Sequence, residues 1–402
     1  MSNVIYRSWP AGMDNRSASH DLSRKPEAAV LRDALNVDIL SSGKPRMRPG
    51  RKQVRADTGA HSLFTDSNRL VWATSSALKV GDENHVPTTV LSDSRLVAPL
   101  SWVALNGELY FSNEAINGKL VSYAYEPWGV VAPAYAPVCT PATSGEYRYA
   151  VTCTFVTATG EESGAPLGST VLCGETPSLR LTSIPQSSDS RVVATRLYVT
   201  NVDGKDFYAQ VDVPAGTTAW SLTGFFANGA LLRTQFLEPL PPGQLIEYNN
   251  GRMYSASNNI LWYTEPLRYG LMNRAANFFM FPARITLVKG VKEGLYISAD
   301  RTYFLSGAGT KDVDLIVLED DQAVEGAALK LPGDGEEVVW LSTGGIRRGK
   351  GGAMERVTDD RIAIEKYERA CVGLIEKNGH RAIVVVARDG AANPLVADDF
   401  VI

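Results

Sequence analysis

The sequence predicts an all-β protein: a β-propeller interrupted by an inserted immunoglobulin/fibronectin-III-like β-sandwich. Three observations predict it. Strand–turn–strand units with alternating apolar and polar residues recur along most of the chain. The two clearest of these units turn on Asn-Gly, the dipeptide that supplies the positive φ of a tight hairpin. A central stretch carries a different rhythm, with a dense set of short strands of its own.

The clearest unit is residues 245–269, LIEYNNGRMYSASNNILWYTEPLRY. It reads as a strand to Tyr248, a turn at Asn249-Asn250-Gly251, a strand over 252–256, a turn over 257–259 and a strand over 260–264. Met253, Ser255, Ile260 and Trp262 follow the period-two pattern of a half-buried antiparallel sheet. Residues 101–113 (SWVALNGELYFSN) repeat the arrangement, with Asn106-Gly107 placed before Leu109-Tyr110 as Asn250-Gly251 is placed before Met253-Tyr254. Weaker echoes occupy 68–80, 294–305, 337–346 and 378–387. Each has a polar or Gly-containing turn and then an aromatic or β-branched strand that closes on Ala, Ser or Thr. Where no long insertion intervenes the units are spaced by roughly 38 to 44 residues, the repeat of propeller blades built of four short strands. An ordinary β-sandwich, in which hairpins recur without radial order, is the competing reading.

Taken in order, residues 1–57 form an N-terminal arm outside the repeat. Trp9-Pro10-Ala11-Gly12 is turn chemistry around an anchoring Trp, and residues 26–36 (PEAAVLRDALN) suit a short helix with Pro in its first turn. A strand at Asn36-Val37-Asp38-Ile39 and a Ser42-Gly43 turn lead into six cations, Lys44, Arg46, Arg48, Arg51, Lys52 and Arg55. Those six are the candidate partner-interface residues, as contacts to phosphates or to an acidic partner surface. The plainer alternative is a solvated hairpin. Residues 58–136 are the first part of the propeller. Pro133, Pro137 and Pro141 mark a linker, and residues 137–224 hold the inserted sandwich, with short strands at 145–157, 169–173, 178–182, 191–201, 207–213 and 217–222. Residues 225–402 resume the propeller, and the tail 393–402 is placed to pair with an early strand and close the ring.

The 402 residues carry 44% hydrophobic and 21% charged side chains, with 35 Gly and 21 Pro, a turn-rich globular balance. A net charge of −4 creates no global field that would collect nucleic acid, so any DNA contact has to be local. Cys139, Cys153, Cys173 and Cys371 form no CxxC pair, and His20, His61, His85 and His380 stand singly, so no metal site, redox motif or His-based triad is read and no cofactor is expected. The opening MSNVIYRSWPAG lacks the order of a signal peptide, and no apolar run reaches membrane-spanning length. The expectation is a soluble protein of a reducing cytoplasm with free thiols and no membrane span. GGIRRGK at 344–350 has phosphate-loop spacing, but Gly351 stands where a magnesium-holding Ser or Thr belongs, so it reads as a flexible basic loop. Glu319-Asp320-Asp321 and Asp359-Asp360 are paired carboxylates of the type glycoside hydrolysis uses, but on turns they read as solvated.

Asp33-Ala34-Leu35-Asn36-Val37-Asp38-Ile39 followed by Gly43-Lys44-Pro45-Arg46-Met47-Arg48-Pro49-Gly50 resembles the start of tail proteins of tailed bacteriophages. Asn250-Gly251-Arg252-Met253-Tyr254 with Leu261-Trp262-Tyr263-Thr264, Gly294-Leu295-Tyr296 with Thr302-Tyr303-Phe304-Leu305, and Val338-Val339-Trp340-Leu341-Ser342 are similar in the same way. Gly145-Glu146-Tyr147-Arg148-Tyr149, Gly160-Glu161-Glu162-Ser163 and Thr195-Arg196-Leu197-Tyr198 resemble the fibronectin-like inserts of such proteins. The resemblance implies a non-enzymatic virion component, a tail nozzle or hub. It would be assembled in the host cytoplasm as a homo-oligomeric ring, with six the expected order, joined to other tail or connector proteins. Genomic DNA would pass through its channel without sequence-specific binding. The chain is shorter than the larger nozzle proteins. The competing function is a propeller enzyme or carbohydrate-binding protein acting on host surface glycans.

Overall fold

The computed structural model describes residues 9, 11–17, 29–32, 37–40, 42–47, 57–65, 69–82, 86–224, 229–333, 337–358, 362, 367, 369–377 and 380–388. Among these residues the architecture is all-β, a succession of small sheets that are almost entirely antiparallel, with one short 3-10 turn at Ser94–Val97. The chain divides into two compact units, residues 1–63, 72–75 and 281–402 in the first and residues 64–71 and 76–280 in the second.

The units read from the sequence are four-stranded meanders. The first runs His61–Thr65, Leu70–Ala73, Ala77–Gly81, Pro87–Ser92 in sequential order. Ser101–Leu105, Glu108–Ser112, Asn117–Val121 and Ala124–Glu126 make the second; Leu245–Asn249, Arg252–Ser257, Ile260–Tyr263 and Phe278–Met280 make the third. The fourth is Leu287–Val291, Gly294–Ser298, Thr302–Ser306 and Asp314–Glu319. The fifth, Ala323–Lys330, Glu337–Ser342, Gly345–Lys350 and Ala353–Arg356, is widened by the hairpin of Arg369–Lys377 and His380–Arg388, which joins through a parallel pairing of Glu325 with Arg369.

Local chemistry accounts for the turns. Asn106 and Gly107 have φ of 53° and 80°, Asn250 and Gly251 of 46° and 78°. Both central residues of each two-residue loop are therefore left-handed, the turn whose twist matches the flanking strands. The registers follow, with Leu105 opposite Glu108 and Asn249 opposite Arg252. The strands after these turns depart from the expected half-buried pattern. Met253, Tyr254, Ser255 and Ala256 are all buried, as is every residue of Gly294–Ser298, so both faces of these strands are covered. Their aromatic residues pack in tilted pairs, Tyr110 with Trp128 at 5.1 Å in the second unit and Tyr296 with Trp340 at 5.5 Å in the first.

Burial on both faces explains why these strands close on small hydroxyl residues. Ser112, fully buried, donates to the carbonyl of Gly243 and accepts from its N–H, both at 2.9 Å. One side chain thus satisfies two backbone groups of the segment that enters the third meander. In the first unit the Oγ of Ser298 accepts the N–H of Ala323 at 2.9 Å and Thr302 donates to the carbonyl of Asp321 at 2.8 Å, so the fourth meander holds the start of the fifth in the same manner. Ser112→Ala will leave the Gly243 groups unpaired and is expected to lower stability by about 1–3 kcal/mol. Urea denaturation with an unchanged m-value checks this, and an unchanged midpoint would remove the latch from the account.

Residues 138–223 form two sheets. One has the order Val138–Pro141, Ser178–Thr182, Trp220–Thr223; the other Ser169–Cys173, Tyr147–Thr157, Val192–Thr200, Phe207–Pro214. Both sheets line one apolar cluster that includes Val151, Cys153, Leu179, Leu181, Leu197 and Leu222. The strand Val138–Pro141 lies inside the stretch read as a Pro-rich linker. It is an edge strand, where Pro141 does not have to donate to a neighbour, and Val138 and Thr140 supply the β-branched character. All four cysteines are free thiols, and burial pushes that of Cys153 up to about 12.

Three expectations change. In the stretch expected as a helix over 26–36, the described residues 29–32 are not helical. Leu31 bridges Met13, and its N–H bonds to Gly12 at 2.8 Å. The rest of that stretch lies outside the described residues. The expected flexible loop at 344–350 is instead the strand Gly345–Lys350, paired on both sides. Glu319 is buried rather than solvated. Asp359-Asp360 and the tail 393–402 lie outside the described residues.

Candidate functional site

The basic run begins in a hairpin. Val37–Ile39 pairs antiparallel with Pro45–Met47, and Gly43, at φ 72°, turns the chain between them while its N–H bonds to Leu40 at 2.7 Å. Lys44, Arg46 and Met47 are exposed, Met47 to 75%. Neither Lys44 nor Arg46 has an ion-pair partner among the described residues. Arg48, Arg51, Lys52 and Arg55 lie outside the described residues, so of the six predicted interface cations two can be placed.

The strongest electrostatics lie elsewhere, in two networks that the sequence reading did not assemble. In the second unit, Lys119 reaches Glu108 at 3.1 Å, Glu161 at 3.8 Å and Glu126 at 3.9 Å. Arg191 reaches Asp189 at 2.7 Å, Glu126 at 3.4 Å and Glu161 at 3.5 Å, and donates to the carbonyl of Gly129 at 2.9 Å. The network ties the second meander to the turns at 158–161 and 187–191 of the two-sheet segment. Burial pushes the Glu161 carboxyl up, with the cations of Lys119 and Arg191 pulling against it, while hydrogen bonding to Arg191 holds Asp189 below the usual range. Close by, Gly129 and Gly270 touch backbone to backbone, and the indole N–H of Trp128 donates to the carbonyl of Tyr269 at 2.8 Å.

In the first unit Arg347, 2% exposed, donates to both oxygens of Glu319 at 2.7 and 3.1 Å and to Asp321 at 3.2 Å. Arg356 reaches the same Glu319 at 2.8 Å. Asp321 also accepts from the hydroxyls of Ser342 and Thr343 and from the N–H of Gly344. Burial opposes its ionisation, but these donors outweigh burial and hold the carboxyl below its ordinary value. Within the stretch with phosphate-loop spacing, Arg347 thus turns inward onto carboxylates, while the exposed Lys350 pairs with Glu337 at 2.8 Å.

Chemically these clusters hold elements together. The phenol of Tyr110 donates to Glu108, and burial together with that carboxylate pushes its pKa well up. It is therefore a fixed donor and a poor nucleophile. Glu108, Glu126 and Glu161 all face cations as ion-pair partners. Among the described residues no group of three or more His, Cys, Asp or Glu is placed to hold a metal. An open groove of about 340 Å³ beside the Asn106-Gly107 turn is lined by Phe64, Leu105, Glu108, Leu109, Leu120 and Tyr123, with the Arg69 guanidinium 4.2 Å over the Tyr123 ring. Among the described residues no helix is long and apolar enough to cross a membrane.

No protein-family model and no curated protein matches the chain. Among solved structures it is similar to a streptogramin B lyase (10% identity, TM-score 0.34), over 82% of this chain and 91% of that one. It is likewise similar to BBS1N in complex with ARL6DN (12% identity, TM-score 0.31; 83% and 92% covered). A third likeness is to PorZ, a bacterial surface component of the type-IX secretion system of Porphyromonas gingivalis (12% identity, TM-score 0.19; 81% and 50% covered). At these scores none carries an argument about what this chain does.

Proposed function

We propose that the protein is a non-enzymatic structural component of a bacteriophage virion tail, a nozzle or hub β-propeller whose copies join in a ring around the DNA exit channel, with residues 137–224 as a fibronectin-III-like insert. The resemblance of the N-terminal segment and of the repeated units to phage tail proteins supports this reading. The structural observation that carries it is the character of the outermost strands. In Asp314–Glu319, Leu315, Ile316 and Val317 are 43%, 46% and 48% exposed, and in Phe278–Met280 Met280 is 66% exposed. An apolar strand at a free sheet edge is a template for further pairing, and native chains leave one open where a partner covers it.

The test measures the mass of the purified chain across micromolar concentrations by light scattering, images it by electron microscopy, and labels virions with an antibody against it. Closed oligomers and labelled tails are expected. A monomer that binds a host glycan and labels no particle would replace this reading with the carbohydrate-binding alternative.

A further inference from the structure

Two exposed surfaces of the first unit are complementary and belong to separate sheets of the chain. One is the strand Asp314–Glu319, whose only strand neighbour among the described residues is Thr302–Ser306, in the register Leu305 opposite Leu315, Phe304 opposite Ile316 and Tyr303 opposite Val317. Successive residues of a strand point to opposite faces, yet Leu315, Ile316 and Val317 are all exposed, so the edge is bare on both faces. At its start Asp312 and Asp314 are exposed and have no cation partner among the described residues. The second surface is the hairpin strand Pro45–Met47 with Lys44 before it. It is exposed throughout, with two cations unpaired among the described residues and an apolar Met47.

We propose that the hairpin of one copy docks on the Asp314–Glu319 edge of the next. Lys44 and Arg46 meet Asp312 and Asp314, and Met47 covers the apolar run at Leu315 and Val317. This rests on the assembly reading above and names its contact. The occupant is a second copy because the chain carries both halves of the contact, opposite in charge and both apolar in part, and leaves both uncovered. Pro45 has no N–H to offer a neighbour, so charge and side-chain packing rather than a full backbone ladder set the register. The two surfaces differ, so the contact is head-to-tail, the class that closes into rings when the rotation between copies allows.

The test is a charge swap on the full chain. Lys44→Glu/Arg46→Glu and Asp312→Lys/Asp314→Lys, each alone, are expected to weaken self-association by about 10-fold or more at low salt, since two attractions become two repulsions. At a dilution where wild type is monomeric, the melting temperature of each variant should equal the wild-type value, because all four side chains are exposed. Mixing the two variants, or combining the four substitutions in one chain, should restore assembly, and raising salt should weaken the wild-type contact. If wild type assembles and both swaps assemble as well as it does, or neither mixing nor combination rescues, the contact is overturned while the assembly reading stands. A wild-type chain that stays monomeric overturns both.

Discussion

Replacing Arg347 by Met will destabilise the first unit by about 3–5 kcal/mol, the largest effect expected of any charge substitution among the described residues. The guanidinium is 2% exposed and satisfies both oxygens of Glu319, itself buried, so its removal leaves a carboxylate in the interior with only the partly solvated Arg356 to face. The pair itself is worth far less than its rupture, because bringing two ions out of water offsets most of their attraction. Arg347→Met combined with Glu319→Leu should therefore recover most of the loss, the more so as Asp321 keeps Ser342, Thr343 and Gly344 as donors. Urea denaturation of the single and double variants decides it. A single variant within about 1 kcal/mol of wild type would mean that water reaches Glu319 and that the strand Gly345–Lys350 is looser than its register implies.

Gly164→Ala will cost about 3 kcal/mol or more through close packing alone. A Cβ there would stand 1.8 Å from the carbonyl oxygen of Leu237, and the two segments cannot part freely, since the N–H of Ala165 bonds to Thr234 at 3.1 Å and that of Phe236 to Ala165 at 2.9 Å. Gly160 provides the control. It has φ of 83° and nothing within 4 Å of the place a methyl would take, so Gly160→Ala carries only the left-handed backbone penalty of about 1–2 kcal/mol. Thermal unfolding of the two variants separates the causes. Equal losses would mean that the Leu237 segment yields, and that its seat against Gly164 adds little.

Much of this architecture could be read from the residues alone. Asn106-Gly107 and Asn250-Gly251 specified both turn and register, because a dipeptide with two left-handed φ values has few other uses between alternating runs. The strands of 245–263 and 147–214 fall within a few residues of where alternation puts them, since the succession of residue types along a strand and its bounding turns are local properties. The strand Val138–Pro141 escaped because its partner, Ser178–Thr182, is distant in sequence and its prolines imitate a linker. The same distance hid the chemistry. Lys119 meets Glu161, and Arg347 meets Glu319, only through packing, and nothing in the runs EDD or GGIRRGK says which charges will be taken out of water. Local order in the sequence set the strands, their turns and the exposed basic hairpin. Which serines latch neighbouring segments, which cations turn inward and which sheet edge is left open depended on how distant segments came to bury one another.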